Sequence, residues 1–458
     1  MAKFSKRVWG WMHFDWASQP YHTVLTTFIF GPYFASVVAD NPTTGQEQWG
    51  WMLSATGLVI AVFAPILGAW ADSSGNKSTW IVLFSALYVA GAWALWWAAP
   101  DTTHLNWILL AFAVGLVGVE FATIFTNAML PDIGDKKEIG LISGSGWAYG
   151  YVGGLIALIL VLLFFAENET GKTLAGNPPA FGFDPAEREG TRSTGPLTAI
   201  WYVVFMIPFF LWASPGRARG GASSMKAAAM PFLSNALEGM RGLRQTIVGL
   251  RKNTSFAAYL ASSMFYRDAF NGIAAFGGIY ATGVLEWTIV DVGMFGIAGT
   301  LVGATFAFAG GFADRRYGPK PVILTCIAIL ATSTLLICTI ARDQVLFFPV
   351  GTDSSLPDIA FFACAITISA MGGSLQSASR TMVVRQSNQS RMTEGFGLYA
   401  LSGKATAFLA PFLIATTTAL TGDQRFGVTP IVILFIIGFY IMKWVHPDGQ
   451  FKRGEQTK

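Results

Sequence analysis

Few side chains in this chain are suited to chemistry, and the candidates interrupt long apolar runs. Glu120, the adjacent pair Arg267 and Asp268, and Lys404 all stand inside such runs. Asn127 follows Glu120 at i+7 on the same helix face, and Asn271 lies one turn beyond Arg267. A carboxylate held in low dielectric can exchange a proton near neutral pH, and a deep cation calls for an anionic partner. Glu120, Asp268 and Lys404 are therefore expected to bind substrate or couple an ion. Arg267 either shares that role or neutralises a carboxylate. Gln376 and Arg380 are spaced i, i+4, so Gln376 either hydrogen-bonds a substrate or orients Arg380. Trp147 and Tyr151 have the same spacing and form either an aromatic wall or ordinary packing. Other chemistries lack their residues. His13, His22, His104 and His446 are scattered, with no HExxH. Cys326, Cys338 and Cys364 lie in apolar runs without paired spacing, so neither a disulfide framework nor a metal site is expected. No nucleophile–His–carboxylate set and no Walker loop is evident, so no enzyme and no cofactor is expected.

The elements that must hold these residues are membrane helices. Of 458 residues 53% are apolar and only 12% charged, about half the charged share of soluble domains. A spanning helix needs about 20 mostly apolar residues. Twelve runs qualify: 15–39, 50–71, 78–99, 105–130, 143–166, 196–214, 255–283, 289–313, 320–341, 357–380, 394–421 and 427–445. Trp49, Trp51, Trp80, Trp107, Trp201 and Trp444 sit near their ends, as interfacial anchors do. If both termini are cytoplasmic, the inner connections carry 23 Lys and Arg and the outer ones 5, a strong positive-inside bias. The outer stretch 167–196 is instead acidic, with Glu167, Glu169, Asp184, Glu187 and Glu189. A net charge of +4, so distributed, gives no reason to expect nucleic acid. The basic start followed by a Trp-rich, interrupted stretch does not read as a cleavable signal peptide.

The longest inner connection, 215–254, divides the chain into six-helix halves, 1–214 and 255–458. It is basic and reads either as a solvated linker or as an amphipathic helix on the inner leaflet. A repeat supports the division. Gly68-Ala-Trp-Ala-Asp72-Ser-Ser-Gly75-Asn-Lys77 follows the second run, and Gly310-Gly-Phe-Ala-Asp314-Arg315-Arg316-Tyr-Gly318-Pro-Lys320 follows the eighth. Gly68 permits close helix contact, Gly75 permits a tight turn, and Asp72 can accept backbone N–H groups at a helix start; the second copy departs by one residue, with four steps from Asp314 to Gly318 against three in the first. With Lys77, Arg315 and Lys320, and with Asp15 and Arg380 near cytoplasmic helix ends, these residues are expected to form a cytoplasmic gate. The expected fold is an all-α integral membrane protein of twelve helices in two bundles related by a pseudo-two-fold axis, with a substrate path between them near the midplane.

The repeated GxxxDxxGxK turn resembles the signature loop of the major facilitator superfamily. Further segments narrow the likeness: Phe14-Asp15-Trp16-Ala17-Ser18, Asn127-Ala-Met-Leu-Pro131, Ser143 to Gly154, Gly372 to Arg380, and Glu394-Gly-Phe396-Gly397-Leu-Tyr399 with Gly403-Lys404 and Pro411. Together they resemble the vacuole-effluxer family, the autophagy-related vacuolar amino-acid exporters of fungi and their bacterial relatives. That resemblance implies a twelve-helix secondary transporter and points to a neutral amino acid as substrate. Independently, Lys404 has no acidic neighbour in sequence, so a substrate carboxylate is its expected partner, with a permanent pair to Glu120 or Asp268 as the alternative. The reading is a proton- or ion-coupled transporter of a small organic solute, a monomer in the inner or plasma membrane. A lipid or hydrophobic-drug exporter and a solute receptor without flux are the competing readings.

Overall fold

A computed structural model describes residues 4–74, 77–100, 102–133, 139–213, 250, 253–387 and 392–449; side chains 65, 66, 68–74, 128, 130, 131, 139–141, 143, 144, 392–394 and 396 fall outside the description. Among the described residues, twelve helical rods follow the twelve apolar runs. The first, α1, begins as Lys6–Pro20, continues through the wider π-helical turn Tyr21–Phe28, and ends in Phe30–Tyr33 and Phe34–Val38. The others in the first half are α2 (Pro42–Ser74), α3 (Lys77–Trp97), α4 (Leu105–Ala128), α5 (Ile139–Phe164) and α6 (Glu189–Ala213). The second half holds α7 (Thr254–Leu285), α8 (Ile289–Tyr317), α9 (Pro319–Ile337), α10 (Leu356–Gln386), α11 (Met392–Ala405 and Leu409–Thr421) and α12 (Gln424–Met442). A two-stranded hairpin, β1 (Gln344–Val345) and β2 (Phe348–Pro349), joins α9 to α10. Among the described residues nine rods are long and apolar enough to cross a membrane. The other three are α1, α2 and α7, and α7 carries the Arg267–Asp268 pair.

Local sequence sets the helix ends. Ser5 accepts from Val8 N–H at the start of α1. Thr288 and Asp291 form a reciprocal capping box at α8. Gly318, at φ 84°, turns the chain from α8 into α9, where Pro319 occupies the first helical position. The break in α11 lies four residues before Pro411. A proline there has no N–H for the carbonyl of Ala407 and its ring crowds that carbonyl, so the helix stops at Ala405 and restarts at Leu409.

The chain packs as two compact units: residues 1–34 with 62–243, and 35–61 with 244–458. Inside the first, α1 packs on α5 and α6, and α3 on α4 and α6. Inside the second, α7 packs on α11 and α12, and α9 on α10 and α12, the same pairing six helices later. Small residues allow these approaches. A Cβ on Gly118 of α4 would lie 2.5 Å from Tyr88 N and 2.7 Å from Phe84 O of α3. Tyr88 and Tyr202 stack at 4.0 Å at the centre of the first unit, and Tyr202 shares a 2.7 Å hydrogen bond with Ser85.

Candidate functional site

The deep charges of the second unit gather at the α11 break. Arg267 and Asp268 are sequence neighbours on α7 but make no ion pair with each other; their partners lie on different halves of α11. The Arg267 guanidinium lies 4.1 Å over the Tyr399 ring, and its Nη1 donates to Tyr399 O at 2.7 Å. It also lies flat against Gly403, where a Cβ would come within 2.6 Å of Cζ. Asp268 is 2% exposed, and its Oδ2 accepts from Ala410 N–H at 2.8 Å. That N–H is orphaned by the break, so Asp268 caps the second half of α11 from a neighbouring helix. Asp268 Oδ1 has no hydrogen-bond partner among the described residues. Thr406, inside the break, donates to Met264 O at 3.2 Å. Lys404 is half-buried in the last turn before the break, and Asn271 is exposed.

A hydroxyl cluster that sequence reading passed over supports this pair. Tyr399 stacks on Tyr259 at 5.9 Å and 8°. Tyr259 O–H donates to Ser379 O at 2.6 Å, and Tyr266 shares a 2.8 Å hydrogen bond with Ser379 Oγ. Tyr259 and Tyr266 are spaced i, i+7, a pattern that marks a common face on α7. Ser379 precedes Arg380 on α10; Gln376 and Arg380 are both half-buried.

In the first unit Glu120 is half-buried on α4 and Asn127 is exposed. Trp147 and Tyr151 are exposed on α5, their rings 5.8 Å apart. Asp15 packs against α5, where a Cβ on Gly146 would lie 2.6 Å from its Oδ2. Lys77 donates to Asp132 Oδ2 at 3.0 Å. The surroundings of Gly68, the side chain of Asp72 and the whole of Gly75 lie outside the described residues, as does nearly all of the 215–254 linker.

The second motif copy uses its lysine differently. Lys320 donates to Lys443 O at 2.9 Å and to Val445 O at 2.7 Å, tying the start of α9 to the carbonyl end of α12. Asp314 is 5% exposed, and its backbone carbonyl accepts from Gly318 N–H at 2.8 Å. Arg315 and Arg316 are exposed, the latter 5.3 Å over Tyr317.

Two further buried polar sites lay outside the sequence expectations. Gln46, with no exposed surface, donates to Thr418 Oγ1 at 2.8 Å and Gln424 O at 3.2 Å, while Gln424 donates to Pro42 O at 2.7 Å. The same part of α2 lies on α11, with a Gly50 Cβ position 2.8 Å from Ala415 Cβ. Glu167, in the α5–α6 connection, also has no exposed surface, and neither carboxylate oxygen has a hydrogen-bond partner among the described residues. Burial pushes its carboxyl up to about 7, with the backbone amides of Glu167 and Thr191 and the Arg188 charge pulling back only part of the shift.

The comparisons agree with this architecture. The family model described as "Vacuole effluxer Atg22 like" matches residues 51–454. The Bacillus subtilis protein YxiO, described as an uncharacterized MFS-type transporter, is 25% identical over 97% of this chain and 96% of its own. Autophagy-related protein 22-2 of Aspergillus niger is 22% identical over 68% of this chain, which spans about half of that protein (52%). Among solved structures, the E. coli xylose transporter XylE superposes with a TM-score of 0.65 at 11% identity, covering 97% of this chain and 98% of that one. A bacterial homologue of the human lysosomal transporter Spinster gives 0.63 at 15% identity, covering 98% and 99%. The fold is that of the major facilitator superfamily.

Proposed function

Because this chain belongs to the Atg22-like vacuole effluxer family, we propose that it is a proton-coupled secondary transporter moving a small zwitterionic solute, a neutral amino acid, by alternating access. The observation that carries this reading is the arrangement at the α11 break. A guanidinium and a carboxylate stand side by side in the sequence of α7 without pairing, each fixed by backbone of α11. Charges at such depth are costly, and their retention marks a substrate or ion path. Broken helices with freed backbone groups recur at transporter binding sites. A hydrophobic drug without an anionic group would offer the Arg267 guanidinium no ionic partner, which favours a carboxylate-bearing solute.

In this reading 1–214 and 255–458 are the two repeats joined by the 215–254 linker, both termini are cytoplasmic, and the working unit is a monomer. Lys404, Asn271 and Gln376 are the further substrate-contact candidates of the second unit, and Trp147 and Tyr151 those of the first. Glu120 and Asp268 are the proton-carrying candidates. The Lys77–Asp132 pair, with Asp15 and Asp72, is the gate candidate of the first unit, and the Lys320 contacts to α12, with Asp314 and Arg380, that of the second. The test is accumulation of labelled L-leucine, L-tyrosine and L-glutamine in proteoliposomes under an imposed pH gradient. Glu120→Gln or Asp268→Asn is expected to abolish gradient-driven accumulation while leaving exchange. If both variants accumulate solute as the unaltered protein does, the coupling assignment is wrong.

A further inference from the structure

We propose that Arg267, seated on Tyr399 and Gly403, is the residue that holds the substrate's carboxylate, accepting a planar two-oxygen anion along the free edge of its guanidinium. This rests on the zwitterion reading above and assigns its anionic contact to one residue. It also moves that contact from Lys404 on α11, where sequence alone puts it, to α7.

The guanidinium is held before any ligand arrives. One of its five N–H donors is spent on Tyr399 O, which leaves four. The Tyr399 ring at 4.1 Å supplies a cation–π surface that offsets part of the cost of depth without neutralising the charge. Tyr399 is itself braced by Tyr259, and Tyr259 by Ser379 of α10. The platform is therefore set by three helices, α7, α10 and α11. Glycine at 403 is what lets the plane lie flat, since any side chain there would collide with Cζ, Nη1 and Nη2 at 2.6–2.7 Å. No carboxylate among the described residues makes an ion pair with Arg267. Asp268, the nearest acidic residue in sequence, is turned to Ala410 instead. A half-buried, pre-oriented guanidinium with four free donors and no resident anion matches a carboxylate in shape and charge.

The test uses purified full-length protein and three probe series: L-leucine, L-tyrosine and L-glutamine, each as the free acid, the C-terminal amide and the decarboxylated amine. In the unaltered protein at least one acid is expected to bind, with its amide and amine weaker by about tenfold or more. Arg267→Lys keeps the charge but loses the fork and the stack, and should weaken the acid by about tenfold. Gly403→Ala, which displaces the guanidinium while keeping it, should also weaken the acid. Arg267→Gln should erase the difference between acid and amide. If Arg267→Gln does not fold, the Lys variant and the probe series on the unaltered protein decide. Amide binding equal to acid, acid affinity unchanged in Arg267→Lys and Gly403→Ala, or no acid bound in any series would overturn the proposal. Equal exchange of acids and amides in liposomes would leave the transporter reading standing and remove this site. Acid-selective binding without exchange would do the reverse.

Discussion

Glu167 gives the sharpest quantitative prediction, because its burial makes the α5–α6 connection respond to pH. The carboxyl is fully enclosed, against Gly190 and the short turn Glu189–Arg192. Around it stand Arg188, which donates to Glu167 O at 3.1 Å, Thr191, Arg192 with its partner Glu187, and Tyr33 of α1. Burial raises the folded-state value from 4.5 to about 7. The closed connection therefore holds a proton that the opened one releases between these two values. The stabilisation is complete below about 4.5 and is lost as pH rises through about 7. At about 1.4 kcal/mol per pH unit the loss reaches about 3 kcal/mol by pH 8, or about two orders of magnitude in the opening equilibrium. Hydrogen exchange of peptides covering 165–193, corrected for the intrinsic pH dependence, reads this directly. Protection should fall steeply from pH 5 to pH 8 in the unaltered protein and stay flat in Glu167→Gln. Equal pH profiles for the two proteins would refute the reasoning.

Gln46→Leu removes two hydrogen bonds and leaves Thr418 and Gln424 O buried without that donor; a loss of about 1–3 kcal/mol, read as a lower melting temperature, is expected. Asp132→Ala removes a pair whose acidic partner is 58% exposed, so stability should change by less than about 1 kcal/mol, while any role in the gate would appear as an altered transport rate. Asp268→Ala leaves Ala410 N–H without its cap and should cost about 1–2 kcal/mol, whereas Asp268→Asn keeps an acceptor and should melt close to the unaltered protein.

The spans were legible because membrane helices announce themselves by composition and length. The deep charges were legible for the same reason: Arg267, Asp268 and Lys404 stand out against apolar neighbours. Their partners were not. The run 394–421 reads as one helix, yet Pro411 splits it, and the orphaned Ala410 N–H gives Asp268 a role that periodicity cannot show. Glu167 sits in an acidic connection that reads as solvated; it is buried because Gly190 lets the chain close over it, a tertiary contact with no local signature. Lys77 and Lys320 occupy equivalent motif positions but meet a carboxylate in one half and helix-end carbonyls in the other, since their partners come from non-equivalent segments.

The central claim, that the chain moves a zwitterion rather than merely binding it, is tested most directly by counterflow. Proteoliposomes preloaded with unlabelled L-leucine, L-tyrosine or L-glutamine are diluted into the trace-labelled compound with no ion gradient. A transient accumulation of label that needs the preload, and that is lost in Arg267→Gln, is the predicted result. Absence of any transient in a preparation that binds the same compounds would contradict it.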